Sequence, residues 1–318
     1  MAEKDAVTRM YMKDNAHFAD AVNFCCFDGR SVVQPENLHA LDSTVAANLL
    51  GKNGKKKTEQ RFRDLLKMAE IKYDDKAVYL MVGIENQSEI DRSMAVRTML
   101  SDSLQYMMQI ERIKKKHQKN HDKPEDASEY MSGFYRDDKL LPVITLTVYF
   151  GGKSWDAPTD LYSMLDASPE ILRLVDNYHL HLIDPHAISN EHFGKFRTEL
   201  RNVMKFVKYS NNKSELVDMM NQDETFHNIS WDTANTINVV TGSKLKLPER
   251  EERVDMCKAI EQIRNDSVLE GEKKGAINTA FEIAKRMIDS GNLPLAEIAG
   301  YTGLSLEEVQ TLAGEKSA

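Results

Sequence analysis

Residues 63–87, RDLLKMAEIKYDDKAVYLMVGIENQ, decide the fold. An extended segment over residues 61–73, a turn at Asp74-Asp75 and a second strand over residues 77–85, with the β-rich run Val78-Tyr79-Leu80-Met81-Val82, read as a hairpin. Residues 62–70 also admit a helical reading. If the strands pair symmetrically about Asp74-Asp75, partner numbers sum to 149, as 64 and 85 do, and Asp64 sits directly opposite Glu85. Direct partners have Cβ atoms about 4.5–5.5 Å apart, and like charges there destabilise a sheet. The metal-free protein is expected to carry that repulsion, and a cation to relieve it. Two carboxylates converging on Mg²⁺ or Mn²⁺ would supply one, and the ion could activate a water against a phosphodiester. Glu85 and Gln87, two apart on a strand, face the same side. The competing reading makes Asp64 and Glu85 surface carboxylates, because a one-residue slip would send them to opposite faces.

Outward from the hairpin, residues 7–27 read as a helix, and Gly51, Asn53 and Gly54 break the chain before the first strand. Residues 90–116 have helical composition and a basic last turn, which suits the negative end of the helix dipole. Residues 119–132 are polar and loop-like. Pro142 then opens Val143-Ile144-Thr145-Leu146-Thr147-Val148-Tyr149-Phe150, a buried-strand pattern stopped by Gly151-Gly152. The rest is mostly helical, apart from a strand-like stretch at 178–183 and a helix entrance at Ser168-Pro169. Three regions are expected: 1–165, 166–263 and 264–318. Ser305 and Glu308 fit a capping box opening a last helix.

Arg63-Asp64, the strand ending Gly83-Ile84-Glu85-Asn86-Gln87-Ser88, the helix carrying Arg97 and the strand from Leu141-Pro142 to Tyr149-Phe150-Gly151 resemble the nuclease core of the recombination-promoting nuclease (Rpn) family, within the PD-(D/E)XK superfamily. Residues 180–185, 206–210 and 299–312 resemble the regions that follow in bacterial members. The resemblance implies an α/β fold with a PD-(D/E)XK core, in the order helix, three strands, helix, strand, followed by a mostly helical second half. It also implies a Mg²⁺- or Mn²⁺-dependent DNA endonuclease, linked to recombination, mobile DNA or defence against foreign DNA. Asp64 and Glu85 match the metal-binding acids, and Gln87 the position of the superfamily's lysine. A neutral amide can orient water or donate to a phosphate oxygen but brings no positive charge. The first helix often adds an acid in this family; Asp20 is the candidate, with Asp14 and Glu36 as rivals. Arg97 is positioned to reach a phosphate, or else to cap or pair within its own helix.

Charge argues against a protein that coats nucleic acid, since the formal net charge is −8. DNA contact is therefore expected to be local, through Lys55, Lys56, Lys57 and Arg61; a second basic run at 114–119 reads equally as a solvated loop end. The N-terminus is charged where a secretory signal would be apolar, and no apolar run spans a bilayer, so a cytoplasmic protein without membrane contact is expected. Cys25, Cys26 and Cys257 form neither a disulfide framework nor a zinc pattern. His117 and His121 have helical ligand spacing but no intervening glutamate, and His179 and His181 alternate on a strand, as packed or exposed histidines do. Residues 298–312 have the outline of a helix-turn-helix, yet the second helix carries Glu307 and Glu308 and no basic residue. It reads as a docking or self-association element, so homo-oligomerisation through the helical C-terminal region is expected. A catalytically weak or inactive nuclease-fold protein that binds nucleic acid or regulates a partner is the alternative reading.

Overall fold

The hairpin forms in the register that symmetric pairing requires. In the computed structural model, which describes residues 2–41, 44–46, 59–61, 64–73, 76–249 and 253–314, β4 (Leu65–Tyr73) pairs antiparallel with β5 (Lys76–Gln87), from Tyr73↔Lys76 to Leu65↔Ile84. β5 then feeds α3 (Met94–Asn120) and returns as β6 (Val143–Tyr149), which lies parallel to β5. β1 (Leu38–Ala40) and β7 (His181–Ile183) flank these strands in a five-stranded mixed sheet of order β1-β4-β5-β6-β7. β2 (Thr44–Ala46) and β3 (Glu59–Arg61) pair separately. β6 ends at Tyr149, and glycine follows at 151, where a Cβ would run into the Tyr149 ring.

Period-two alternation gives the sheet two buried faces. On one, Met81 and Val143 pack with Leu66 and Tyr106, and α3 fastens itself by Gln109 to Leu141 and by Tyr106 Oη to the Val143 N–H. The other face receives the two N-terminal helices. Lys67, 3% exposed, donates from Nζ to the Lys13 carbonyl and Asn15 Oδ1, both at 2.7 Å, and lies over the Phe18 ring. A carbonyl at a helix C-terminus suits the ammonium, although burial lowers its pKa to about 8.

Residues 7–27 are not one helix. α1 (Ala2–Lys13) and α2 (Asn15–Phe27) are divided at Asp14, whose carboxylate accepts the Ala16 and His17 N–H groups as an N-cap. The local hydrogen bonds of an aspartate thus outweigh continuous helical periodicity. α4 (Ala127–Ser132) forms inside the stretch read as loop, capped by Asp126. The expected strand at 178–183 shrinks to β7, and Pro169 opens only the one-turn α5 (Pro169–Leu172).

Two compact units result, Met1–Met256 and Cys257–Ala318, so the division expected at 165 runs through the first unit. The reason is twofold: β7 joins the sheet beside β6, and α8 (Trp231–Thr241) packs on α1, with Tyr11 Oη 3.1 Å from Thr233 Oγ1. α6 (Leu200–Tyr209) and α7 (Lys213–Gln222) complete the helical part of that unit. In the second unit, α9 (Met256–Ser290), α10 (Leu295–Thr302) and α11 (Leu306–Gly314) share a small core of Ala284, Ile298 and Val309. The capping box forms as read, with Ser305 N–H donating to Glu308 and Glu308 N–H to Ser305 Oγ. Among the described residues no helix is long and apolar enough to cross a membrane.

Candidate functional site

The β4–β5 ladder stops at Leu65↔Ile84, one residue short of the expected Asp64–Glu85 rung. Asp64 lies in a bend, and its Oδ2 accepts the Asn86 backbone N–H at 3.0 Å and Asn86 Nδ2 at 3.4 Å. Its carboxylate thus stands in for the next main-chain acceptor. A positive charge from the chain itself lies nearby. Arg9, on α1, has Nε 4.0 Å from Asp64 Oδ1, at the outer limit of an ion pair, and that buried Nε has no hydrogen-bond partner among the described residues. Spacing held a faint signal for this: Asp5 and Arg9, four apart on α1, share a helix face. Asp5 Oδ1 accepts from Ser88 Oγ at 3.0 Å, tying α1 to the chain just beyond Gln87.

Glu85 is 5% exposed and in register with Thr147 of β6. It shares the α3-facing side of the sheet with Thr145, whose hydroxyl donates to Asp102 Oδ1 at 2.6 Å; Tyr178 Oη donates to the other Asp102 oxygen at 2.7 Å. Thr147 Oγ1 and Asn86 Oδ1 are buried without a partner among the described residues. Such orphans are uncommon in folded proteins and concentrate at sites that take a ligand or water. Sequence reasoning missed Asp102, Thr145, Thr147 and Tyr178, since a threonine inside an apolar strand and an aspartate inside an amphipathic helix give no motif. Gln87, in register with Tyr149, is half-buried at the end of β5.

Other expected site residues lie elsewhere. Asp20 is 4% exposed, and its carboxylate accepts the Arg197 N–H at 2.9 Å, the Thr198 N–H at 2.8 Å and Thr198 Oγ1 at 2.6 Å. It anchors a distant segment, and Asp20, Asp64 and Glu85 do not gather their oxygens within 4.8 Å of one another. The assignment of Asp20 as a third metal ligand is therefore corrected: its lone pairs serve two backbone N–H groups and a hydroxyl. Asp14 is the α2 cap, and Glu36 is exposed in the turn Pro35–Asn37. Arg97 Nη1 is 2.5 Å from Oδ2 of Asp91, which lies in the loop just before α3, so this guanidinium is paired and is not a free cation. Lys55, Lys56 and Lys57 lie outside the described residues, and Arg61 is described only as backbone of β3.

Both ring nitrogens of His117 are engaged by carboxylates. Its Nδ1 is 2.8 Å from Asp122 and its Nε2 2.9 Å from Asp138, its ring stacks on Tyr135, and hydrogen bonds to Asp122 and Asp138 raise its pKa. His121 is the left-handed cap of α3. Cys25, Cys26 and Cys257 form no disulfide among the described residues.

A family model described as "Putative transposase, YhgA-like" matches residues 55–236, more than half of the chain. No curated protein and no solved structure matches the chain significantly. The matched segment takes in the β4–β5 hairpin, the α3 crossover and β6, the same stretch that carries the Rpn resemblance, and the chain belongs to this YhgA-like transposase family.

Proposed function

We propose that this protein is a divalent-metal-dependent DNA endonuclease with a PD-(D/E)XK-type core, acting in recombination, mobile-DNA movement or defence against foreign DNA. The observation that carries this reading is the contact of Asp64 with Asn86 N–H, which brings an acid from the start of β4 against the Glu85-Asn86-Gln87 run at the end of β5. Asp64 and Glu85 would hold Mg²⁺ or Mn²⁺. The donor chemistry fits a hard cation, because both offer carboxylate oxygens and the unpartnered Thr147 Oγ1, in register with Glu85 on the same face, adds a neutral oxygen. When bound, the ion supplies a water of lowered pKa and compensates charge at the scissile phosphate. Gln87, half-exposed on the Glu85 side of β5, would orient that water or donate to phosphate. Arg9 would serve as a phosphate cation once the metal holds Asp64, with Lys55, Lys56, Lys57 and Arg61 steering the DNA.

A second reading, a nuclease fold that binds nucleic acid without cutting it, draws on a different observation: Glu85 is 5% exposed, and both Asp64 oxygens already face Asn86 and Arg9. Incubating plasmid and linear DNA with Mg²⁺, Mn²⁺ or chelator separates the two. Metal-dependent nicking abolished by Glu85→Ala and by Asp64→Ala supports the enzyme. Salt-sensitive DNA binding without cleavage supports the second reading.

A further inference from the structure

A second cluster of cations lies in the helical part of the first unit. Arg197, Arg201 and Arg253 line a cleft of about 500 Å³ together with Glu199, Asn202 and Asn228. The three guanidiniums are fixed differently. Arg253 donates to Glu199 Oε1 at 2.8 Å and to Asn228 Oδ1 at 2.9 Å, which sets its plane. Arg201 gives one Nη to Asp223 at 2.8 Å, while its buried Nε–H has no acceptor among the described residues. Arg197 is exposed, and its side chain makes no hydrogen bond or ion pair among the described residues. Its backbone is held all the same, because Asp20 clamps the N–H groups of Arg197 and Thr198.

The acids of this region are already engaged. Although burial raises its proton affinity, Asp223 is held below the usual carboxylate range by hydrogen bonds from Lys205 and Thr225 and by the charge of Arg201. Burial likewise opposes ionisation of Glu199, but bonds from Ser230 and Thr233 and the charge of Arg253 prevail. Around the cleft, Glu199 pairs with Arg253 and Asp223 with Arg201, which leaves Arg197 as the lining arginine without an acid partner among the described residues. A planar guanidinium fork suits phosphate oxygens, and donors left without acceptors in a low-dielectric wall gain most from an anion.

We propose that the Arg197–Arg201–Arg253 cleft binds a terminal phosphate, the dianionic phosphomonoester of a nucleotide or of a phosphorylated oligonucleotide end. Arg197 brings an unpaired charge and Arg201 an unused donor to such an anion, and the volume admits a nucleotide-sized ligand. Arg201 would donate from Nε, Arg197 would close over the outer oxygens, and Arg253 would donate from its free edge. The site is independent of the Asp64–Glu85 region, and its test does not use cleavage.

The test is calorimetric titration and thermal melting of the full chain with inorganic phosphate, against chloride at equal ionic strength. Adenosine monophosphate and short oligonucleotides with a 5′-phosphate or a 5′-hydroxyl follow. Phosphate, the nucleotide and the phosphorylated oligonucleotide should bind and raise the melting temperature, and the 5′-hydroxyl oligonucleotide should not. The relative affinities of nucleotide and phosphorylated oligonucleotide identify the source. Arg197→Gln and Arg201→Lys should each weaken binding at least about tenfold, the latter because lysine keeps the charge beside Asp223 but cannot present the Nε donor. Should Arg201→Lys fold poorly, Arg197→Gln, at an exposed position without partners, carries the test alone. Phosphate no better than chloride, Arg197→Gln binding like wild type, or Arg197-dependent binding of the 5′-hydroxyl oligonucleotide at equal strength would each overturn the assignment.

Discussion

Substituting Asp64 separates a carboxylate that repels its neighbour from one that completes the sheet. Facing carboxylates predict that Asp64→Asn relieves strain in the metal-free protein. The observed contacts predict the opposite sign. Asp64 Oδ2 accepts an N–H from Asn86, which is 5% exposed, and Oδ1 faces Arg9 at 4.0 Å. Removing a charged acceptor from a buried N–H costs about 1–3 kcal/mol. The ion pair adds about 0–1 kcal/mol, because the Arg9 side chain is 37% exposed and solvent screens it. Asp64→Ala should therefore cost about 1–4 kcal/mol. Asp64→Asn keeps an oxygen for the N–H and loses only charge, about 1 kcal/mol. For a unit of this size, each kcal/mol moves the melting temperature by about 2–4 °C. Melting in chelator measures both variants. Repeating it in Mg²⁺ or Mn²⁺ should stabilise wild type and do much less for Asp64→Asn, because only a folded-state ligand stabilises. A metal-free Asp64→Asn more stable than wild type would restore the repulsion picture and remove Asp64 as the acceptor for Asn86. An undiminished response to metal would remove it from the metal site.

Asp20→Ala should destabilise the protein by about 3–5 kcal/mol in urea unfolding, since a buried carboxylate with three donors is lost; a stable variant that has lost metal-dependent cleavage would return Asp20 to the metal site. Gln87→Lys should fold normally, because the position is half-exposed, and should keep or raise DNA cleavage; an unfolded product would mean that Gln87 is packed and not presented. The pKa of His117 is raised by Asp122 and Asp138, so its contribution is fully present below the ordinary value of 6.5 and lost as pH rises through the raised one. Amide exchange across residues 121–138 should accordingly speed up above that range beyond the base-catalysed trend, and His117→Gln should abolish the extra pH dependence.

The central sheet was legible because its signals are local. Apolar strand runs, a two-residue turn and a β-strand–helix–β-strand spacing are properties of neighbouring residues, and the register followed from symmetry about Asp74-Asp75, as Leu65↔Ile84 bears out. The N-terminal helix was misread for an equally local reason: its apolar periodicity runs through Asp14, whereas the break comes from one side chain competing for backbone N–H groups. The division expected at 165 falls inside the first compact unit, because β7 reaches back to pair with β6 from beyond it, a contact no local pattern reports.

The site was legible only as far as its strands. Sequence spacing says which face an acid takes, but not whether its lone pairs are free. Asp20, midway along α2, and Asp64, just before β4, both end as acceptors of backbone N–H groups. Asp20 does so across 177 residues, a separation no local pattern reports. The difference that matters is how completely each is used. Asp20 has both oxygens filled by donors, whereas Asp64 Oδ1 has no hydrogen bond among the described residues and only a distant guanidinium before it. A cation can compete for Asp64 Oδ1 at the cost of one loose ion pair, and for the Asp20 carboxylate only by stripping two backbone donors and a hydroxyl. The same comparison explains why Arg9 belongs with Asp64. A buried Nε–H without an acceptor, 4.0 Å from a half-used carboxylate, is held poorly by the free protein and better by a phosphate oxygen once metal takes Asp64. Arg9→Met should thus weaken DNA binding more in Mg²⁺ or Ca²⁺ than in chelator, and an equal loss in both would break the link between metal occupancy and phosphate capture.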